Sequence, residues 1–120
     1  MERSRLAIIV PALNEQRSIA SVVAAVTGYG LPIVVSDGST DSTAEAAAAA
    51  GAIVVLHEQN QGYDAALNSG FIRAAELGAE FAITLDADGQ HDPALIPSFT
   101  RLLADGERMV VGVRPRQARI

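Results

Sequence analysis

Phe81-Ala82-Ile83-Thr84-Leu85-Asp86-Ala87-Asp88-Gly89-Gln90-His91-Asp92-Pro93 runs from an apolar strand through two carboxylates and a glycine into a helix start. Asp92 caps that helix and Pro93 takes its first position, where a missing N–H costs nothing. On extended chain Asp86 and Asp88 leave the same face and converge on one point. Converging carboxylates repel unless a cation lies between them. Gln90 adds a neutral oxygen within reach, and such an all-oxygen set suits magnesium or manganese better than zinc. The same residues read equally well as ordinary turn and cap chemistry. Strand, acidic turn and helix form the unit from which the chain is built.

The unit recurs upstream. Leu6-Ala7-Ile8-Ile9-Val10 is a continuous apolar run, as in a parallel strand covered on both faces, and Pro11 is expected to stop it. Asn14 can cap a helix in which Ile19, Val22, Val23 and Val26 keep the i, i+3, i+4, i+7 spacing of one buried stripe, closed by Gly28 and Gly30. Ile33-Val34-Val35-Ser36 makes a second strand and Asp37-Gly38-Ser39-Thr40 a turn. Residues 41–50 follow as an alanine-rich helix, with Ser42 and Glu45 at capping-box spacing and Gly51 as its stop. A third strand, Ala52-Ile53-Val54-Val55-Leu56, leads through a polar loop to a helix over residues 63–77, whose Ala66, Gly70 and Ala74 mark a face for close approach. The fourth strand is 81–85. The helix begun at Asp92 ends at Gly106, Met109-Val110-Val111-Gly112-Val113 is a fifth strand, and residues 114–120 trail off as a tail.

Strands alternating with helices through short loops predict a single α/β domain over residues 1–120, with a doubly wound, mainly parallel sheet and helices on both faces. Such sheets bind ligands beyond the carboxyl ends of their strands. The unusual residues gather there, at 11–15, 37–39 and 86–90, and acidic loops along one edge favour a metal-assisted phosphate site. Composition points the same way: 49% apolar residues fill one core, while a net charge of -5 and the absence of lysine argue against a nucleic-acid surface. A small anion would then be held through a cation. With no cysteine there is neither a disulfide framework nor a thiolate metal site, which fits a cytoplasmic location. No run of about 18 apolar residues is present to span a bilayer, and none near the N-terminus makes a signal-peptide core.

Four stretches resemble, in order and spacing, the motifs of glycosyltransferase family 2: Pro11-Ala12-Leu13-Asn14-Glu15, Ser36-Asp37-Gly38-Ser39-Thr40-Asp41, the segment from Asn60-Gln61-Gly62 to Asn68-Ser69-Gly70, and Asp86-Ala87-Asp88-Gly89-Gln90-His91-Asp92-Pro93. The last is nearest to the dolichyl-phosphate mannose synthase branch. The resemblance implies a GT-A, Rossmann-like nucleotide-diphospho-sugar transferase fold, of which this chain is the nucleotide-binding part and truncated relative to family members. It implies that Pro11, Ala12, Leu13 and Glu15 wall the nucleotide, that Val35 and Asp37 meet base and ribose, and that Asp86 and Ala87 lie along ribose and pyrophosphate. Asp88, with Asp86 and Gln90, would hold Mg or Mn, Asp88 acting on catalysis through the metal. Arg114 would meet a phosphate or stand as an exposed tail residue. His57 and His91 read as loop residues rather than ligands.

The implied activity is inverting transfer from a donor of the GDP-mannose or UDP-glucose class to an acceptor such as a polyprenyl phosphate, at a cytoplasmic or peripheral-membrane location. A phosphate acceptor is already ionised and needs no general base. Three positions depart from the family pattern: Ser36 replaces the first aspartate of a pair, Leu13 a common aromatic, and Asp64 a glycine. The alternative is a non-catalytic nucleotide-sugar-binding module in which an exposed sheet edge pairs with a second copy as a homodimer. A haloacid-dehalogenase-type phosphohydrolase would carry its Asp-x-Asp-Gly after the first strand and need a lysine. This chain meets neither condition.

Overall fold

Apolar runs that alternate with one-sided helices have to bury both faces of a sheet, and the computed structural model shows that solution; it describes residues 5–87 and, as backbone, 111–114 and 117–119. The elements are β1 (Leu6–Ala12), α1 (Ile19–Val26), β2 (Leu31–Asp37), α2 (Thr43–Ala49), β3 (Ile53–His57), α3 (Tyr63–Glu76), β4 (Phe81–Thr84), β5 (Val111–Arg114) and β6 (Gln117–Arg119). The strands lie in the order β3-β2-β1-β4-β5-β6. All neighbours are parallel except β5 and β6. The helix expected from Asp92 and the first residues of the fifth strand lie outside the described residues.

Alternate residues of β1 feed opposite cores. Leu6, Ile8 and Val10, with Val34 and Ile83, pack under α1 through Ile19, Val22, Val23 and Val26 and under α2 through Ala47. Ala7 and Ile9, with Ile33, Val35 and Ala82, pack under α3 through Ala66 and Ala74. Helices therefore cover both faces, and β1 is buried on each side, as its unbroken apolar run requires. The small face of α3 is used as expected: a Cβ added at Gly70 would stand 2.4 Å from Ile9 Cγ2, so only glycine lets the helix sit this close to the sheet.

Several boundaries differ from the sequence reading. Pro11 does not end β1, which continues to Ala12 in register with Val35 and Ser36 of β2. In a parallel ladder successive residues point their bonding groups to alternate sides. The missing donor of Pro11 falls on the β4 side, beyond the last bond there, Leu85 N to Ile9 O, so it ends one ladder only. Helix α1 starts at Ile19, well after Asn14, because Asn14 adopts a left-handed φ of 54° and uses its side chain elsewhere. Ser42 precedes α2 but makes no side-chain cap bond; the Thr43 N–H is taken by Asp41 Oδ1 instead. Part of the expected tail, Gln117–Arg119, is β6, antiparallel to β5. An open strand edge presents unpaired N–H and C=O groups, and a neighbouring extended segment satisfies them.

The strand order reverses direction at β1, with β2 and β3 to one side and β4 to the other. That switch point sets the crevice at the carboxyl ends of β1, β2 and β4.

Candidate functional site

The loops that leave the carboxyl ends of β1 and β2 are laced together. Asn14 Oδ1 accepts the Thr40 N–H at 2.8 Å and the Thr40 hydroxyl at 3.3 Å, while the Asn14 N–H donates to Ser39 Oγ at 3.1 Å. The Glu15 N–H donates to Thr43 Oγ1 at 2.9 Å, the Gln16 N–H to Asp41 Oδ2 at 3.3 Å, and Gln16 Oε1 accepts the Ser42 N–H at 3.0 Å. Asp41 is the hub of the second loop. The Thr43 hydroxyl bonds its Oδ1 and, with the N–H groups of Thr43 and Gln16, holds its carboxyl below the ordinary range against a smaller upward push from burial.

A third loop joins through Ser18. Its hydroxyl donates to the Ala87 carbonyl at 2.6 Å and lies 3.2 Å from Glu15 Oε2. A hydroxyl has one proton, so the shorter contact takes it. The chain leaving β4 is thus tied to the first turn before α1, and the three loops expected along one edge form one connected rim.

Asp37 sits at the end of β2, 5% exposed, and both its oxygens are occupied. Oδ1 accepts the Gln61 N–H and the His57 Nδ1 proton, each at 2.8 Å, and Oδ2 accepts the Gly62 N–H at 3.0 Å. Burial pushes this carboxyl up, but the Gln61 N–H, the His57 ring and the Gly62 N–H together outweigh it and hold the group below the usual carboxylate range. The 57–62 loop reaches Asp37 because Gly38 lets it: φ there is +78°, and a Cβ would stand 2.3 Å from Asn60 N. Beside Asp37 lies a cleft of about 290 Å³, lined by Pro11, Ala12, Leu13, Asn60, Gly62, Tyr63 and Ala66.

The sequence-predicted residues divide accordingly. Pro11, Ala12, Leu13 and Asp37 come together around the cleft. Leu13 is 43% exposed, an apolar lid edge with area to offer a flat ligand. Glu15 stands on the rim beside Ser18. Val35 is 0% exposed and packs in the α3-side core, so its side chain has no surface for a base or ribose; it supports Ala66 from beneath instead. Ala87 is buried and pinned by Ser18. Asp86 is half-buried, and among the described residues its carboxylate has no hydrogen-bond or ion-pair partner. Asp88, Gln90 and His91 lie outside the described residues, as does the side chain of Arg114. Among the described residues no three acidic or imidazole groups cluster as a metal site. A half-buried carboxylate with no partner among the described residues fits a hard cation held mostly by oxygen donors, whereas Asp37, which already accepts three hydrogen bonds, does not.

His57 is not the loop residue that the sequence suggests. It ends β3, in register with Asp37 on β2, and its side chain is 8% exposed. The signal was available: each residue stands at the end of a strand next to its neighbour, and equivalent ends of adjacent parallel strands meet. Ser18, Asn14 and Asp41 carried no comparable signal, since their partners are set by the lacing of distant loops.

The chain is similar to proteins of known kind. Over 127 aligned positions the chain is 34% identical to the UDP-N-acetylglucosamine–dolichyl-phosphate N-acetylglucosaminyltransferase of Methanococcus voltae, covering 89% of this chain and 51% of that protein. It is 31% identical over 124 positions to the undecaprenyl-phosphate 4-deoxy-4-formamido-L-arabinose transferase of Serratia proteamaculans, covering 92% and 37%. The crystal structure of glucosyl-3-phosphoglycerate synthase from Mycobacterium tuberculosis with Mn2+, UDP-glucose and phosphoglyceric acid superposes with a TM-score of 0.66 at 27% identity, over 85% of this chain and 40% of that one. The chain spans about half the length of the first curated relatives it matches. The fold is the GT-A arrangement of these enzymes. From β1 to β6, residues 7–119 match the family model described as glycosyl transferase family 2, and the chain belongs to that family.

Proposed function

We propose that this chain is the donor-binding part of a glycosyltransferase, taking a nucleotide-diphosphate sugar into the crevice at the carboxyl ends of β1, β2 and β4. The observation that carries the reading is the laced rim: three loops hold a cleft beside Asp37 at one end and, at the other, Asp86, whose carboxylate has no partner among the described residues. In this reading Pro11, Ala12, Leu13 and Tyr63 receive the base and ribose. Asp86 and Ala87 lie along ribose and pyrophosphate.

Asp86, Asp88 and Gln90 would hold Mg or Mn, and Arg114 would meet a phosphate. When bound, the cation supplies neutralisation of the charge that grows on the departing diphosphate. The chain's own residues orient the donor: a rim tied at Ser18, Asn14 and Asp41 leaves the loops little freedom, so the sugar is presented in one pose. The chemistry proposed is inverting transfer to a polyprenyl phosphate, in the manner of the dolichyl-phosphate mannose synthase branch. Similarity to two polyprenyl-phosphate sugar transferases supports that acceptor class.

The test is calorimetric titration with UDP-glucose, UDP-N-acetylglucosamine and GDP-mannose, each with and without Mn2+. Metal-dependent binding of one of them, lost in Asp88→Asn, is the expected result. No metal-dependent binding to any of the three would overturn the donor-site reading, and binding without transfer to a polyprenyl phosphate would favour the non-catalytic module.

A further inference from the structure

Asp37, His57 and Ser69 form a line of hydrogen bonds across β2, β3 and α3: His57 Nδ1 lies 2.8 Å from Asp37 Oδ1, and His57 Nε2 lies 2.7 Å from Ser69 Oγ. Acid, imidazole and hydroxyl stand in the order of a hydrolytic triad, but the surroundings rule out that chemistry. Ser69 lies inside α3, where backbone N–H groups are committed to the helix and cannot hold an oxyanion. The residue of the three that lines the cleft is Asp37. The line therefore acts toward Asp37.

An ionised carboxylate only accepts hydrogen bonds, so the proton sits on His57 Nδ1 and is donated to Asp37. In the neutral ring Nε2 is then an acceptor, and the Ser69 hydroxyl donates to it. Asp37 thereby sets the tautomer, and the Ser69 hydroxyl, bonded to Nε2, holds the ring in the orientation of that bond. With Gln61 N–H and His57 on Oδ1 and Gly62 N–H on Oδ2, the carboxylate cannot rotate. Of its roughly four acceptor positions three are filled, which leaves one on Oδ2. A fixed anion with a single open acceptor selects a ligand edge that presents one N–H.

We propose that His57, its ring held by Ser69, is a positioning residue that presents the open acceptor of Asp37 to a nucleobase N–H in the cleft. This rests on the reading of the cleft as a nucleotide site. It adds a base-reading device made of residues that do not themselves touch the ligand.

The experiment is titration of the whole chain with UDP and with N3-methyl-UDP, in which the one donor on the uracil ring is removed; inosine diphosphate and its N1-methyl form, whose base likewise carries one N–H, make a parallel pair. The unmodified nucleotide is expected to bind about tenfold tighter, the worth of one hydrogen bond to a charged acceptor. In His57→Ala the ratio should fall toward one, and in His57→Asn, whose amide N–H can replace Nδ1–H, it should return. Inorganic pyrophosphate with Mn2+ should bind all variants equally. A merely structural role would weaken both nucleotides of a pair alike, and an unchanged ratio overturns the proposal. Failure of the unsubstituted protein to bind either nucleotide overturns the nucleotide reading itself. Should His57→Ala not fold, nitrogen NMR of the histidine ring, assigned against His91→Gln, reads the tautomer directly, and a ring protonated on Nε2 overturns the proposal.

Discussion

Asn14 shows how one side chain can set a motif loop. It holds a left-handed φ of 54° and accepts two bonds from Thr40, 26 residues away. Asn14→Ala loses those bonds and replaces a residue that tolerates the left-handed region with one that does not, so it should cost about 2 kcal/mol in urea unfolding. Asn14→Gly keeps the backbone at ease and loses only the bonds, for about 1 kcal/mol. Equal costs for the two would contradict this account of the loop. Asp37 makes a prediction in pH. Its folded value is depressed, so its stabilisation is complete above the ordinary carboxylate value and is lost as pH falls through the lower folded value. Melting temperature should therefore drop below about pH 4, and Asp37→Asn should flatten that part of the profile. Identical slopes for the two proteins would show that Asp37 is not the group responsible. At this scale the sequence was readable where a residue's meaning is local. Asp86 follows from its place at a strand end, whereas Asn14 looked like a helix cap because Thr40 is invisible until the loops are laced.

Among the elements, the contact between α3 and β1 is the tightest test of the fold. Gly70 admits Ile9 Cγ2 where a methyl group would collide at 2.4 Å. Gly70→Ala should destabilise by about 1–3 kcal/mol through overpacking, although alanine is the better helix former. Ile9→Ala alone opens a cavity and should cost about 2–5 kcal/mol. The double variant should cost clearly less than the two together, because each change relieves the other. Strict additivity in chemical denaturation would mean that the helix is not seated on Ile9. The unbroken apolar run of β1 and the Ala66, Gly70, Ala74 spacing made these elements plain in the sequence, since burial on both faces and close helix approach each leave a pattern. Helix starts were less plain. α1 begins later than its cap-like residue suggests, because Asn14 is drawn into bonds between the loops; α2 starts directly after Ser42, but Asp41 and not Ser42 takes the Thr43 N–H. β6 carries no apolar alternation in Gln117-Ala118-Arg119 and is held by the edge of β5.

For the whole molecule, the sheet order places the carboxyl ends of β1, β2, β3 and β4 along one edge. Asp37 and His57 meet there, and Ser18 anchors Ala87, the neighbour of half-buried Asp86, there. The opposite edge carries Gly30, Gly51 and Gly78, which precede β2, β3 and β4. The family and the arrangement of the edge were legible because four motifs fall at strand ends. The pairing of His57 with Asp37 could have been read from the same strand ends, once β2 and β3 are taken as neighbours in register. If nucleotide and divalent cation share this edge, amide NMR of the 12.5 kDa chain detects it directly. With UDP or GDP present, trace Mn2+ should broaden the amide signals of Ala12, Gly38, Gly62 and Ala87 and leave those of Gly30, Gly51 and Gly78 sharp. Broadening centred on the second set, or none that depends on nucleotide, would contradict the account.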